Sequence, residues 1–159
     1  MLAQEICMPR SVRFFRNTCS HCNNDVGIPL LGDFAYAEFV FQTQDGKSFA
    51  YSSAIDHPAW ARMKAIFLDS AGIALDQNND DIRIYQNVLI RCADLRDGKR
   101  YTTEFPLCST CGRKIEFYND DETLFDEEVP DVTWNEFLSL PSVDQTTRVL
   151  TLIQEETSG

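Results

Sequence analysis

Cys19-Ser20-His21-Cys22 and Cys108-Ser109-Thr110-Cys111 are the stretches on which the reading of this chain turns. They hold four of its six cysteines, and 85 residues separate Cys22 from Cys108. Cys7 and Cys92 stand alone. Disulfides, redox chemistry and metal binding compete to explain the pairs. A disulfide framework is disfavoured, because Met1 to Arg16 is charged, holds a proline and lacks the apolar stretch of an export signal. A chain of 159 residues can also build a core without covalent staples. Redox chemistry needs the first cysteine at a helix N-terminus, where the dipole lowers its pKa. Asn23-Asn24-Asp25-Val26-Gly27-Ile28-Pro29 after Cys22 and Gly112-Arg113-Lys114-Ile115 after Cys111 do not read as helix starts.

Metal fits better. A Cys-x-x-Cys turn folds around a cation with both thiolates inward, and backbone N–H groups beyond the second cysteine can then donate to sulfur. That geometry favours a residue tolerant of left-handed backbone: Gly112 after Cys111, and Asn23, the next most tolerant type, after Cys22. Two such turns supply Cys19, Cys22, Cys108 and Cys111 as a tetrahedron of soft donors. Zinc accepts that set, and iron held by four thiolates competes with it. Four cysteines close the coordination shell, so a structural Zn2+ and no catalytic residue are expected. His21 lies between ligands and is expected to face solvent as an alternative donor at most. The zinc-deaminase pattern is missing, because Pro106 is one residue too far from Cys108 and neither histidine is followed by Glu at the second position. His57, before Pro58, reads as a surface residue near a helix start. Ser11 to Arg16 and Tyr101 to Phe105 lead into the turns as strands, and Arg113 to Tyr118 leads out. On Cys19, Cys22, Cys108, Cys111 and Gly112 the chain resembles the paired knuckles of zinc-ribbon proteins. The long separation departs from compact ribbons and implies a subdomain inserted between the knuckles.

The formal net charge is −11, which argues against a simple basic nucleic-acid binder. Residues 1–119 carry 13 basic and 14 acidic side chains, whereas 120–159 carry only Arg148 against 11 acidic ones. The acidity is densest at Asp120, Asp121, Glu122, Asp126, Glu127, Glu128 and Asp131. It reads either as a solvated linker or as a surface steering a basic partner. No apolar run approaches the ~20 residues that span a bilayer, so a cytoplasmic, membrane-free protein is expected.

Between the knuckles, Phe34 to Thr43 reads as a buried strand, Asp45-Gly46 as a hairpin turn and Ser48 to Tyr51 as its return. A helix is expected from an Asp56 cap, with Trp60, Met63 and Phe67 on its apolar face and Gly72 as its stop. Asp76 to Asp81 reads as a loop, Ile82 to Tyr85 and Val88 to Cys92 as strand, and Asp97-Gly98 as a second hairpin turn. No phosphate loop, nucleophile elbow or His-Glu-x-x-His motif occurs. Near the end, Thr133 and Glu136 match a capping box, with Val132 and Phe137 as its staple and Pro141 as a stop. Ser142 to Gln145 repeats the pattern before a second apolar helix face.

The expected architecture is α+β: an antiparallel sheet of five or six strands with one packed helix, closed by a zinc-knuckle site of four cysteines, plus two short C-terminal helices. The expected boundaries are 1–118 for a zinc-clamped body, 119–131 for an acidic linker and 132–159 for helices packed on the body or on a partner. The expected role is a non-enzymatic protein-binding module for a basic protein, with Asp126, Glu127, Glu128 and Trp134 at its binding surface. Bacterial immunity proteins that neutralise nuclease toxins resemble it in size and acidity. An enzyme with a site in the body, or a nucleic-acid ribbon using Arg10, Arg13 and Arg16, are the competing readings.

Overall fold

The computed structural model describes residues 9–30, 38–55, 57–75, 78–104, 106–115 and 123–158. Cys7, Asp120, Asp121 and Glu122 lie outside them, as do Phe34, Tyr36 and the expected cap Asp56. The described residues form six strands and four helices: β1 (Pro9–Thr18), β2 (Asp25–Leu30), β3 (Glu38–Thr43), β4 (Phe49–Ser53), α1 (Pro58–Asp69), α2 (Asn79–Arg91), β5 (Tyr101–Thr102), β6 (Leu124–Pro130), α3 (Asn135–Ser139) and α4 (Ser142–Ser158). The α+β class is as expected, but the single sheet is not. Two antiparallel three-stranded sheets take its place, in the orders β2-β1-β6 and β4-β3-β5. The chain divides into a β unit drawn from Ile6–Ser53 and Leu95–Val132 and a helical unit drawn from Ala54–Asp94 and Thr133–Gly159.

In the β unit, Val12 and Phe14 of β1, Val129 of β6 and Tyr51 of β4 share one core, with Val40, Phe49 and Phe125 packed against it. Phe14 meets Phe49 edge-on at 5.2 Å and stacks on Phe125 at 5.5 Å, both favourable aromatic geometries. Gly27 makes room for this packing, since a Cβ there would lie 2.7 Å from the Phe125 ring. Part of the expected acidic linker is strand: Phe125 and Val129, four residues apart on one face, pack on the core, while Asp126, Glu127 and Glu128 between them stay exposed. Asp97 and Gly98 both take positive φ, with mutual backbone hydrogen bonds between Arg96 and Lys99, as a two-residue hairpin requires. In the other turn only Gly46 is left-handed. There the Asp45 carboxylate accepts from the Thr43 hydroxyl and the Lys47 N–H, and these bonds hold it below the usual carboxylate range.

In the helical unit, residues 82–91 are not strand but the greater part of α2, with Cys92 just past its end. Ile82 and Ile84 alternate as a strand would, yet Ile84 with Val88 and Tyr85 with Leu89 repeat every four residues. The Asn78 side chain caps the Asp80 and Asp81 N–H groups, acidic residues fill the first turn and Arg91 the last. These end signals outweigh the weak strand preference of branched residues. Cys92 lies at the C-cap of α2, where burial pushes its thiol up to about 11, so it behaves as a small apolar side chain. α1 is capped by His57, whose Nδ1 accepts from the Ala59 N–H, and its ring lies 4.7 Å from that of Trp134. His57 is thus a helix cap in contact with an aromatic side chain.

The Thr133 capping box does not form. α3 begins at Asn135 after Trp134, and its exposed N–H groups are satisfied from outside the helix. The Asp94 carboxylate accepts from the Asn135 and Glu136 N–H groups at 2.8 and 3.0 Å and from the Thr133 hydroxyl at 2.7 Å. Glu136 faces Arg148 instead of reaching back to the cap. Trp134 is fully buried and donates its indole N–H to the Leu89 carbonyl at 2.9 Å. Its assignment to a partner surface is corrected: the side chain belongs to the core of the helical unit. α4 has 17 residues, so it is not short, and it meets α2 through Arg91 with Glu155 and Glu156. Gln145 is buried, accepts from Arg62 and donates to the Phe137 and Leu140 carbonyls. No helix among the described residues is long and apolar enough to cross a membrane.

Asp94→Ala removes three hydrogen bonds, two of them the N-terminal cap of α3. It should lower unfolding free energy by about 1–2 kcal/mol in urea titrations followed by circular dichroism. An unchanged midpoint would show that water replaces the carboxylate without cost.

Candidate metal centre

Each knuckle is built by its own backbone. The Asn23 N–H returns to the Cys19 carbonyl and the Gly112 N–H to the Cys108 carbonyl, both at 2.9 Å. The Cys19 N–H donates to Asn24 and the Cys108 N–H to Arg113, at 3.0 and 2.8 Å. Thr18 pairs with Asp25 across the first turn, and Leu107 with Lys114 across the second. Val26 and Ile115 then occupy matching positions and pack together with Cys19 and Cys108. Asn23 has φ 61° and Gly112 φ 74°, the left-handed backbone expected after each second cysteine. The two turns are thus near-copies of one hairpin, although 85 residues separate them.

The turns bring their sulfurs together. Cys19 Sγ lies 3.7 Å from Cys111 Sγ, Cys22 Sγ lies 3.6 Å from Cys108 Sγ, and all four atoms fall within 4.8 Å of one another. Sulfurs at ~2.3 Å from a central zinc ion would be about 3.8 Å apart in a regular tetrahedron. A disulfide needs ~2.05 Å, and the described cysteines are free thiols. The four cysteines therefore lie close enough to hold one metal ion. Cys19 and Cys108 are buried, Cys22 is half-buried and Cys111 is exposed. His21 is exposed and stands outside the converging donors.

Local donors already favour negative charge on part of the cluster. The Asn24 side-chain and backbone N–H groups bring the Cys22 thiol down to about 6, and the Asn24 amide lies 3.2 Å from its sulfur. The Thr110 N–H reaches Cys108 Sγ at 3.4 Å. At Cys111 the Arg113 backbone N–H pulls the thiol down. Desolvation and the three neighbouring sulfurs outweigh that pull and hold it at about 11. A cation at the centre would displace such protons, so affinity for it must rise with pH. With four protein sulfurs as ligands, a tetrahedral ion would keep no position for water or substrate.

The acidic residues expected at a partner surface lie on β6. Asp126 is exposed and pairs with Arg13 at 3.2 Å, while Glu127 and Glu128 are exposed. The arginines of the nucleic-acid reading are engaged within the β unit. Arg10 pairs with Asp131 at 3.1 Å and lies 4.3 Å over the Tyr51 ring, and Arg16 lies over Phe125 at 5.3 Å. Sequence reasoning missed Gln42, a fully buried amide bonded beside the second knuckle. Only its place within an apolar strand, Phe39 to Phe41, could have signalled it.

Compared with family models, curated proteins and solved structures, the chain matches none.

Purified protein should carry one equivalent of a thiolate-bound metal per chain by elemental analysis. Structural zinc contributes ~10–16 kcal/mol in small peptides, against ~5–15 kcal/mol of net stability for whole domains. Complete chelation should therefore lower the melting temperature and reduce far-UV circular dichroism as the knuckle end unfolds. A stoichiometry near zero, or an unaltered spectrum and melt, would contradict this centre.

Proposed function

We propose that the protein is a non-enzymatic binding module, stapled by a structural zinc ion on Cys19, Cys22, Cys108 and Cys111, that engages a basic protein. The observation that carries this reading is the form of the acidic stretch. It is a strand, outermost in its sheet among the described residues, with Asp126, Glu127 and Glu128 exposed on successive positions. Successive strand residues point to opposite faces, so the carboxylates line both sides of one edge. A fixed array of like charge speeds encounter with an oppositely charged partner and selects against acidic ones. Because the donor set closes around the ion, the metal is assigned to stability and the acidic edge to recognition. An inhibitor or immunity-type role is the form of this reading that the small size and net charge of −11 favour.

Charge reversal tests it. Asp126 already faces Arg13, so Asp126→Lys would also create a like-charge pair, whereas Glu127→Lys with Glu128→Lys leaves that bridge alone. Basic proteins captured by the wild type at low salt should associate with the double variant at least ~10-fold more slowly in surface-binding kinetics. The wild-type on-rate should fall as salt rises. Equal on-rates for wild type and variant would reduce the carboxylates to guards against edge-to-edge pairing.

A further inference from the structure

The residue entering each knuckle gives its N–H to a buried carboxamide. At the first, the Thr18 N–H donates to Asn17 Oδ1 at 2.8 Å. At the second, the Leu107 N–H donates to Gln42 Oε1, also at 2.8 Å. Asn17 and Gln42 are 1% and 0% exposed, and at Gln42 both the oxygen and the nitrogen of the buried amide are engaged, as burial of a polar group demands. Their origins differ. Asn17 is local to its knuckle, whereas Gln42 arrives from β3, 65 residues before Leu107.

Gln42 does more than accept one bond. Its Nε2 donates to the Leu107 carbonyl at 2.8 Å and to the Gly46 carbonyl at 2.8 Å. Both backbone groups of Leu107 are thus held by one side chain, one residue before Cys108. Gly46 completes the clamp from the β3–β4 turn. A Cβ at Gly46 would lie 2.6 Å from the Cys108 carbonyl oxygen, and its φ of 76° independently favours glycine. The first knuckle is continuous with the β1–β2 ladder, whose register runs from Arg13–Leu30 to Thr18–Asp25. The second is closed locally by the Leu107–Lys114 bridge and the Ile115-to-Pro106 hydrogen bond, and takes its height from the hairpin tip.

We propose that Gln42 is a positioning residue of the metal centre, setting the second knuckle so that Cys108 Sγ meets the sulfurs of the first. It touches no sulfur and acts through Leu107. The inference rests on the four-cysteine reading of the centre. Residues behind metal ligands characteristically govern affinity by 10–100-fold when removed. Gln42 should behave this way although it bonds to the chain beside the ligand and not to the ligand itself.

The test compares full-length wild type with Gln42→Met, which keeps the volume and removes all three bonds. Zinc affinity is read by competition with a chromophoric chelator, and the site by the thiolate-to-cobalt charge-transfer spectrum after Co2+ substitution. Gln42→Met should bind zinc at least ~10-fold more weakly and shift the cobalt bands. Asp94→Ala, a destabilised variant in the helical unit, should melt lower yet keep wild-type affinity and spectrum. Gly46→Ala, which strains the same clamp from the hairpin side, should reproduce the loss and carries the test should Gln42→Met not fold. Wild-type affinity and an unshifted cobalt spectrum in Gln42→Met, or in Gly46→Ala where that variant stands in, would overturn the proposal. So would an equal loss in Asp94→Ala, which would make the effect one of general stability. Failure of the wild type to bind one metal through four thiolates would instead overturn the centre itself.

Discussion

Four sulfurs gathered within 4.8 Å form an arrangement that this chain cannot hold as four bare thiolates. Two like charges at 4 Å repel by about 4 kcal/mol at an effective dielectric of 20, and four charges make six such pairs. A cation at their centre would replace the repulsion by attraction to every sulfur at once. Much of the β unit is arranged around that requirement. β1 and β2 end on the first knuckle, the β3–β4 turn rests against the second, and Val26 with Ile115 pack the sulfurs from the same matching positions. The backbone contributes before any ion does, because left-handed residues at Asn23 and Gly112 turn N–H groups back toward each first cysteine.

The helical unit solves a different problem, the satisfaction of backbone groups in a short, interrupted set of helices. α3 has five residues and no side-chain cap of its own. A helix that short has almost no intrinsic stability, so its order depends on packing and on borrowed hydrogen bonds. Asp94 supplies them at its start. Gln145 accepts from Arg62 and donates to the carbonyls of Phe137 and Leu140 at its end. Trp134 locks the same corner, with its ring buried and its indole N–H bonded to the end of α2. The residue that looks most like a recognition aromatic in the linear chain therefore serves stability.

Charge is handled by position. Arg10, Arg13 and Arg16 on β1 are each matched by a carboxylate or an aromatic ring of the β unit. The carboxylates of β6 lie on an outer strand, where they remain hydrated and cost little. The acidic stretch keeps its apolar contribution through Phe125 and Val129, which face the core between the charges.

Features whose physics is local could be read from the amino acids alone. The Cys-x-x-Cys turns, the left-handed residues behind them and the Asp97-Gly98 turn depend on neighbours a few residues away and formed as read, although the strand expected before Asp97 is helix α2. Phe125 and Val129 share one strand face, but the three carboxylates between them break the alternation and made a strand look like a spacer. In α2 the branched residues spoke for strand while the caps and charges at the ends spoke for helix, and the ends prevailed. What only the tertiary structure decided are the interactions between residues far apart in sequence: Gln42 with Leu107, Asp94 with α3, and Trp134 with Leu89. A buried amide, an uncapped helix start or a lone indole carries no mark of its partner in the linear chain. The partner is chosen by whichever unsatisfied backbone group the folded chain brings within 3 Å.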